Sequence, residues 1–280
     1  MKRIFTLCIL LCTAWAGFAQ TDSTTSKKSD TIKVGGMTII RKPGSYQDNN
    51  RKDKTIIFSN RLRSKPSSIS TNWFIFDLGF ANYNDKTNYA TAASSGFIEP
   101  GMNEDDFKLR TGKSINVNIW VFMQRMNLIK HVVNLKYGLG LELNNYRYDN
   151  KEIRFHKNPT YIETDPDLVG VNIKKNKLAA DYITVPLMLN FNFTPHRGRG
   201  FGLSAGVSAG YLYSGRQKTK IDGKVDKLKN DFDLERWKLS YIGEMNLGIV
   251  KLYGSYAINS MWSKGLDQTP YTVGLRFSNW

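Results

Sequence analysis

Apolar and polar positions alternate along most of this chain. In DYITVPLMLNFNF (181–193), Ile183, Val185, Leu187, Leu189, Phe191 and Phe193 are apolar, while Tyr182, Thr184, Pro186, Met188, Asn190 and Asn192 are mostly polar or polar-tipped. A period of two marks a β-strand with one greasy and one wet face. A helix would need apolar residues at three- and four-residue steps, and an interior proline would cost it about 3 kcal/mol. Seven further segments repeat the pattern. Asn72–Tyr83 sets Phe74, Phe76, Leu78 and Phe80 against Asp77, Gly79 and Ala81. Ser114–Gln124 sets Ile115, Val117, Ile119, Val121 and Met123 against Asn116, Asn118, Trp120, Phe122 and Gln124. His131–Tyr148 is the clearest, with Val133, Leu135, Tyr137, Leu139, Leu141 and Leu143 opposing Asn134, Lys136, Gly138, Gly140, Glu142 and Asn144. Phe201–Tyr213, Trp237–Ile249, a weaker Leu252–Asn259 and Tyr271–Phe277 complete eight strands.

The charges in the body of these strands, Asp77, Lys136, Glu142, Lys238, Glu244 and Arg276, fall on the non-greasy parity, whose other members are rich in Gly, Ser and Asn. A soluble sandwich also alternates, but its polar face is the outer one and can be richly charged. Small and amide side chains suit the crowded lumen of a narrow closed barrel, where carboxylates and cations must pair with each other. The connections agree. Those after strands one, three and five are long (about Asn84–Lys113, Asp149–Asn176 and Ser214–Arg236), and those after two, four and six are short. Long loops at one end and short turns at the other are the outer-membrane arrangement. Greasy aromatics also group by height: Phe74, Phe193, Phe201 and Phe277 near the turns, Tyr211, Tyr213, Trp237 and Tyr271 near the loops. Two girdles fit a membrane slab. The fold class expected is all-β, an eight-stranded antiparallel up-and-down transmembrane β-barrel over residues 72–280. Pro186 then stands in a closed sheet with no free edge, and a bulge, or a neighbouring carbonyl bonded to a lumen group, is expected there.

At the N-terminus, Lys2 and Arg3 precede an apolar run from Ile4 to Trp15 and the small-residue stretch Gly17-Phe18-Ala19. This reads as a secretory signal peptide, residues 1–19, rather than a spanning anchor, which needs about 20 apolar residues. Both cysteines, Cys8 and Cys12, fall inside it, so the mature chain has neither disulfide nor thiolate chemistry. Leu11 before Cys12 departs from the small residue of a lipidation site. Residues 20–71 are polar and basic, a largely flexible periplasmic extension in which TIKVGGMTII could turn as a short hairpin about Gly35-Gly36.

The runs FDLGFANY, DYITVPLMLNF and PYTVGLRF, with the leader ending in GFAQ, resemble the PorT-like outer-membrane β-barrel family of small Gram-negative barrels. The resemblance covers about Thr31 to the end and implies a short N-terminal extension, with a link to protein secretion in some members. Barrels of this sort commonly finish on an outward aromatic, whereas Trp280 has the opposite parity to Phe277.

The 280-residue chain carries a formal charge of +16 and a sequence pI of about 9.7. Such a balance suggests nucleic acid, but export to the envelope and the lack of a stacking platform or recognition helix argue against it. Arg216, Lys218, Lys220, Lys224, Lys227 and Lys229 in the third long loop could meet the phosphates of lipopolysaccharide; the simpler reading is a solvated, mobile loop. Of the three histidines, His131 and His196 fall near the turns. His156, close to Asp165 and Asp167, could join Ser214 in a rim enzyme acting on lipids, or be a surface histidine without a partner. Gly202, Gly206 and Gly210 alternate along a strand instead of opening a helix, so they give no phosphate loop. Eight strands leave an interior just wide enough for side chains, so no transport pore is expected.

The chain is therefore expected in the cell outer membrane as a monomeric, non-enzymatic barrel with an anchoring or interaction role, linked to secretion or envelope assembly. No catalytic, cofactor-binding or metal residue is assigned, and no cofactor is implied. The partners expected are outer-membrane lipid, lipopolysaccharide and envelope or secretion proteins. The alternatives are a lipid-modifying rim enzyme and a soluble β-barrel or sandwich that binds a ligand.

Overall fold

The computed structural model describes residues 30–34, 37–41, 67–195, 200–248 and 250–278. The expected signal peptide with its two cysteines, most of the basic extension, His196 and Trp280 lie outside them. The chain divides into two compact units between Pro66 and Ser67. In the first, β1 (Asp30–Val34) pairs antiparallel with β2 (Met37–Arg41), Val34 facing Met37.

The second unit holds β3 (Ile69–Asp85), β4 (Ile115–Ile129), β5 (Val133–Arg147), β6 (Ile153–Phe155), β7 (Ile162–Thr164), β8 (Ile173–Asn192), β9 (Phe201–Ile221), β10 (Lys224–Lys229), β11 (Trp237–Leu247), β12 (Val250–Ala257) and β13 (Gln268–Phe277). Eight of these close a ring in the order β3-β4-β5-β8-β9-β11-β12-β13, every neighbour antiparallel, with β13 returning to β3. The ring arises from the alternation: along β5, Asn134, Lys136, Gly138, Gly140, Glu142 and Asn144 are buried, while the apolar residues between them face outward. The outer wall leaves Phe76, Leu78, Phe80, Val185, Leu187, Val207 and Val273 exposed, as a lipid-facing surface requires. Both aromatic groups lie on it. Tyr211 stands opposite Trp237 with rings 5.1 Å apart, and Phe277 stands opposite Phe76. At the closing seam Gly79 faces Gly274. A Cβ at Gly79 would stand 2.5 Å from the Val273 carbonyl oxygen and 2.7 Å from the Tyr253 hydroxyl, so only glycine lets Tyr253 reach across.

Two expectations about regularity are corrected. Pro186 is buried on the lumen side, but there is no bulge at it. It pairs in register with Ser208 on β9, and on the β5 side the register is identical before and after it, Tyr137 facing Leu187 and Gly140 facing Thr184. Only the pairs at Gly138 and Leu139 are missing: the ladder opens where the proline has no N–H, and no residue is inserted. Register shifts lie elsewhere: on β8 between Ile173 and Lys175 and between Asp181 and Tyr182, on β4 between Asn127 and Ile129, and, also in the β4–β5 ladder, between Trp120 and Phe122. Val121 is the extra residue, and a bulge of one residue reverses the faces beyond it. Met123 is therefore buried in the lumen and Phe122 turns outward against Trp73, the opposite of the strict alternation. Opposite Val121, Phe74 has φ 53°, a left-handed backbone rare for a bulky residue, which leaves both Trp73 and Phe74 facing out.

The long connections are not merely solvated loops. The first contains helix α1 (Tyr89–Ser94), capped by the Asn88 side chain, and a 3₁₀ turn at Glu104–Phe107. The second forms the β6–β7 hairpin. The third is the β9–β10 hairpin, an upward continuation of the barrel wall, in place of the mobile segment expected. A fourth connection, 258–267, not foreseen as long, adds Met261, Trp262 and Leu266. Together they bury an apolar core above the barrel. Phe155 is its hub, stacked on Trp262 at 6.1 Å and edge-on to Phe232 at 5.5 Å, with Tyr148 at 5.9 Å.

Because Phe155 belongs to the cap and not to the wall, Phe155→Ala should remove about 3–5 kcal/mol from the cap alone. The expected outcome is rapid proteolysis within residues 86–114 and 148–172, with the heat-modifiable gel mobility of the folded barrel retained.

Candidate functional site

The sequence predicts that the six strand charges line the lumen, and all six do. Inward parity places them; the ring then brings them into contact. Asp77 and Arg276 are direct partners across the β13–β3 seam. Arg276 donates from Nε and Nη2 to the two oxygens of Asp77, each at 2.7 Å, and from Nη1 to Glu244 at 2.6 Å. Lys136 donates to the other oxygen of Glu244 at 2.7 Å, and Lys238 donates to Glu142. Three carboxylates meet three cations, so the network is neutral.

The amides and aromatics around it fill the remaining hydrogen-bonding capacity. Trp120 Nε1 donates to Asp77 at 2.7 Å, and Asn118 donates to the same oxygen at 3.1 Å. Asn116 donates to Asn118 and Asn144, Asn144 donates to Glu142, and the Tyr253 hydroxyl donates to Asn116. The Arg276 guanidinium lies 5.5 Å from the Trp120 ring centre and 5.9 Å from that of Tyr253, and Lys238 lies 5.5 Å from that of Tyr182. The void beside this network measures about 20 Å³, room for about one water. Among the described residues it plugs the lumen at this level, and a further cavity of about 320 Å³ is lined by Asn72, Lys251, Arg276 and Ser278.

At the upper end two amides tie the cap to the wall. Gln217 on β9 donates to the Ile153 carbonyl at 2.9 Å and to Asn176 at 3.0 Å, and accepts from the Phe155 N–H at 3.1 Å. Asn176 on β8 donates to the Lys151 and Ile153 carbonyls. These two residues, with Phe155 and Trp262, carry the cap, and pattern reading passed over them. The sequence signal available was the aromatic content of supposed loops: Phe97, Phe107, Phe155, Phe232 and Trp262.

His156 and Ser214 do not meet. His156 Nε2 pairs with Glu163 at 2.7 Å on the β6–β7 hairpin, and Arg154 of the same hairpin binds Asp165 at 2.6 Å. His156 shares a cavity of about 330 Å³ with Gln217 and Thr219. Ser214 has the opposite parity on β9 and accepts from Arg216 on the outer face. The constellation considered for a rim enzyme is therefore split across the wall. His131 occupies the β4–β5 turn with φ 59°. Among the described residues no group of three or more His, Cys, Asp or Glu side chains could hold a metal ion, and no helix is long and apolar enough to cross a membrane; the strands make the crossing.

Residues 75–262 match the model of the outer membrane protein β-barrel domain, more than half of the 280-residue chain. The chain belongs to that family. This outer-membrane β-barrel protein resides in the outer membrane. A solved structure, the attachment invasion locus protein Ail of Yersinia pestis, is 12% identical over 74% of this chain and 98% of its own, with a TM-score of 0.31; so loose a likeness carries no inference. No curated protein matches the chain.

Replacing Arg276 by Met leaves Asp77 buried without a counter-ion, and the barrel should lose about 3–5 kcal/mol in urea unfolding from lipid vesicles. The double variant Asp77→Asn with Arg276→Met should recover part of that loss. In planar bilayers the native barrel should give no stepwise current; discrete conductance would contradict the plugged lumen.

Proposed function

We propose that the protein is a non-enzymatic anchor: a monomeric barrel that fixes a folded cap at the cell surface and carries a basic N-terminal extension, residues 20–71, both of which contact proteins of a secretion or envelope-assembly system. One observation carries this reading. Around Glu142 and Arg276 the lumen is filled by a neutral ion-pair network with a void of about 20 Å³ beside it, while four connections are spent on a cap with its own apolar core. A barrel built to conduct would keep its interior open, and long loops without a task need no core. The resemblance of FDLGFANY, DYITVPLMLNF and PYTVGLRF to PorT-like barrels supports the secretion link and the processing of residues 1–19 as a signal peptide. The separation of His156 from Ser214 takes the nucleophile away from the rim-enzyme alternative.

Photo-crosslinkers placed at Lys108 and Lys157 in the cap and at Lys52 in the extension should capture defined envelope proteins in intact cells. Deletion of 20–65 should remove the extension adducts and leave those of the cap. Adducts restricted to lipid at all three positions would overturn the proposal.

A further inference from the structure

The wall does not stop at the aromatic belt. Beyond Tyr211 and Tyr213, β8 and β9 continue upward and β10 joins them, and cross-strand register collects cations on one face. Arg147, Lys177, Lys218 and Lys227 stand side by side on four adjacent strands in a single row. At about 4.8 Å per strand, that row spans roughly 14 Å. Two residues away in one direction Lys175 faces Lys220, and in the other Arg216 faces Lys229. Direct partners and residues two apart share a face, so all eight point the same way. That face is the outer one, because the alternating residues Tyr146, Asn176, Leu178 and Gln217 are buried under the cap. Among the described residues the one ion pair on it joins Arg216 to Asp181. Lys177 donates to the Asn145 side-chain Oδ1 at 2.5 Å, and Arg147 to the Lys174 backbone carbonyl at 2.7 Å.

Like charges directly opposite each other across a sheet are destabilising. The repulsion registers in the side chains: Lys177 is pushed down to about 8, by burial first and then by Lys218, Lys175 and Arg216, against the pull of Asp181. Lys218 is lowered too, by burial and then by Arg216 and Lys227. A row of this kind needs an external anion, and its height says which one. Arg216 lies three residues above the lipid-facing Tyr213, about 10 Å along the strand and roughly 7 Å in height at a 45° tilt. The cations therefore begin at the level of lipid headgroups, above the apolar wall of Ile183, Val207 and Tyr211.

We propose that the outer face of β5, β8, β9 and β10 binds the phosphate-bearing headgroup of an outer-leaflet glycolipid of the lipopolysaccharide type. Its acyl chains lie along the exposed wall below, and its phosphates bridge the row Arg147-Lys177-Lys218-Lys227. The inference rests on residence in the outer membrane and is independent of the secretion reading, so either can fail alone.

The test uses the full chain in phosphatidylcholine nanodiscs, titrated with fluorescent lipopolysaccharide, with the same glycolipid enzymatically dephosphorylated, and with inorganic phosphate as competitor. Intact glycolipid should bind, and the dephosphorylated form should bind at least tenfold more weakly. At about fivefold per surface cation, K177Q/K218Q/K227Q should weaken binding on the order of a hundredfold. K227Q/K229Q, confined to the edge strand β10, should weaken it on the order of twentyfold and keeps the test valid if the triple variant fails to fold. K86Q/K108Q/K113Q, which removes equal charge from the first connection, should leave binding within twofold. Equal binding of both glycolipids, equal losses in the two triple variants, or full displacement by millimolar inorganic phosphate would each overturn the proposal.

Discussion

The structure depends on one guanidinium. Arg276 sits on the last strand of the barrel, β13, and Asp77 on its first, β3, and their bidentate pair lies across the seam where the sheet closes. A ring of strands has no free edge, so closure must be specified by side chains as well as by backbone pairing. Here the third nitrogen of Arg276 carries the contact on to Glu244 of β11, and Lys136 of β5 completes it. The pairs thus span the lumen as well as the seam. Removing any member strands a charge in a space with room for about one water, which is why the network behaves as one unit.

The usual arrangement of polar outside and apolar inside is inverted through the membrane and restored above it. Within the wall, lipid takes the apolar face, and the polar residues must find one another in the interior. Above the wall, water surrounds the chain, and the connections fold around Phe155, Trp262 and their neighbours as a soluble domain would. Gln217 and Asn176 join the two regimes by offering side-chain amides to the Ile153 carbonyl of β6, at the height where the interior changes from charged to apolar.

The same change of surroundings governs the outer face. Below Tyr213 it is apolar because it meets acyl chains, and above Tyr213 it becomes a dense row of cations. A soluble sheet could not gain from gathering eight like charges on one face. Next to a layer of phosphates the gathering is favourable, and the transition occurs within a few residues of the aromatic belt.

Much of this was legible in the sequence. Eight alternating segments, their inward charges, both aromatic groups and three of the four long connections follow from a period of two, because lipid outside and a narrow lumen inside allow no exception along a regular strand. Positions that depend on a partner strand were not legible. The bulge at Val121 reverses Phe122 and Met123, and the gap opposite Pro186 leaves the register intact, because both are settled by how two ladders share one irregularity. The cap escaped for a similar reason: Phe155, Phe232 and Trp262 are 107 residues apart from first to last and show no period. The row of cations is likewise scattered as 147, 177, 218 and 227 until register sets them side by side. Local alternation determined which residues face lipid and which face inward; only the closed sheet decided which of them touch.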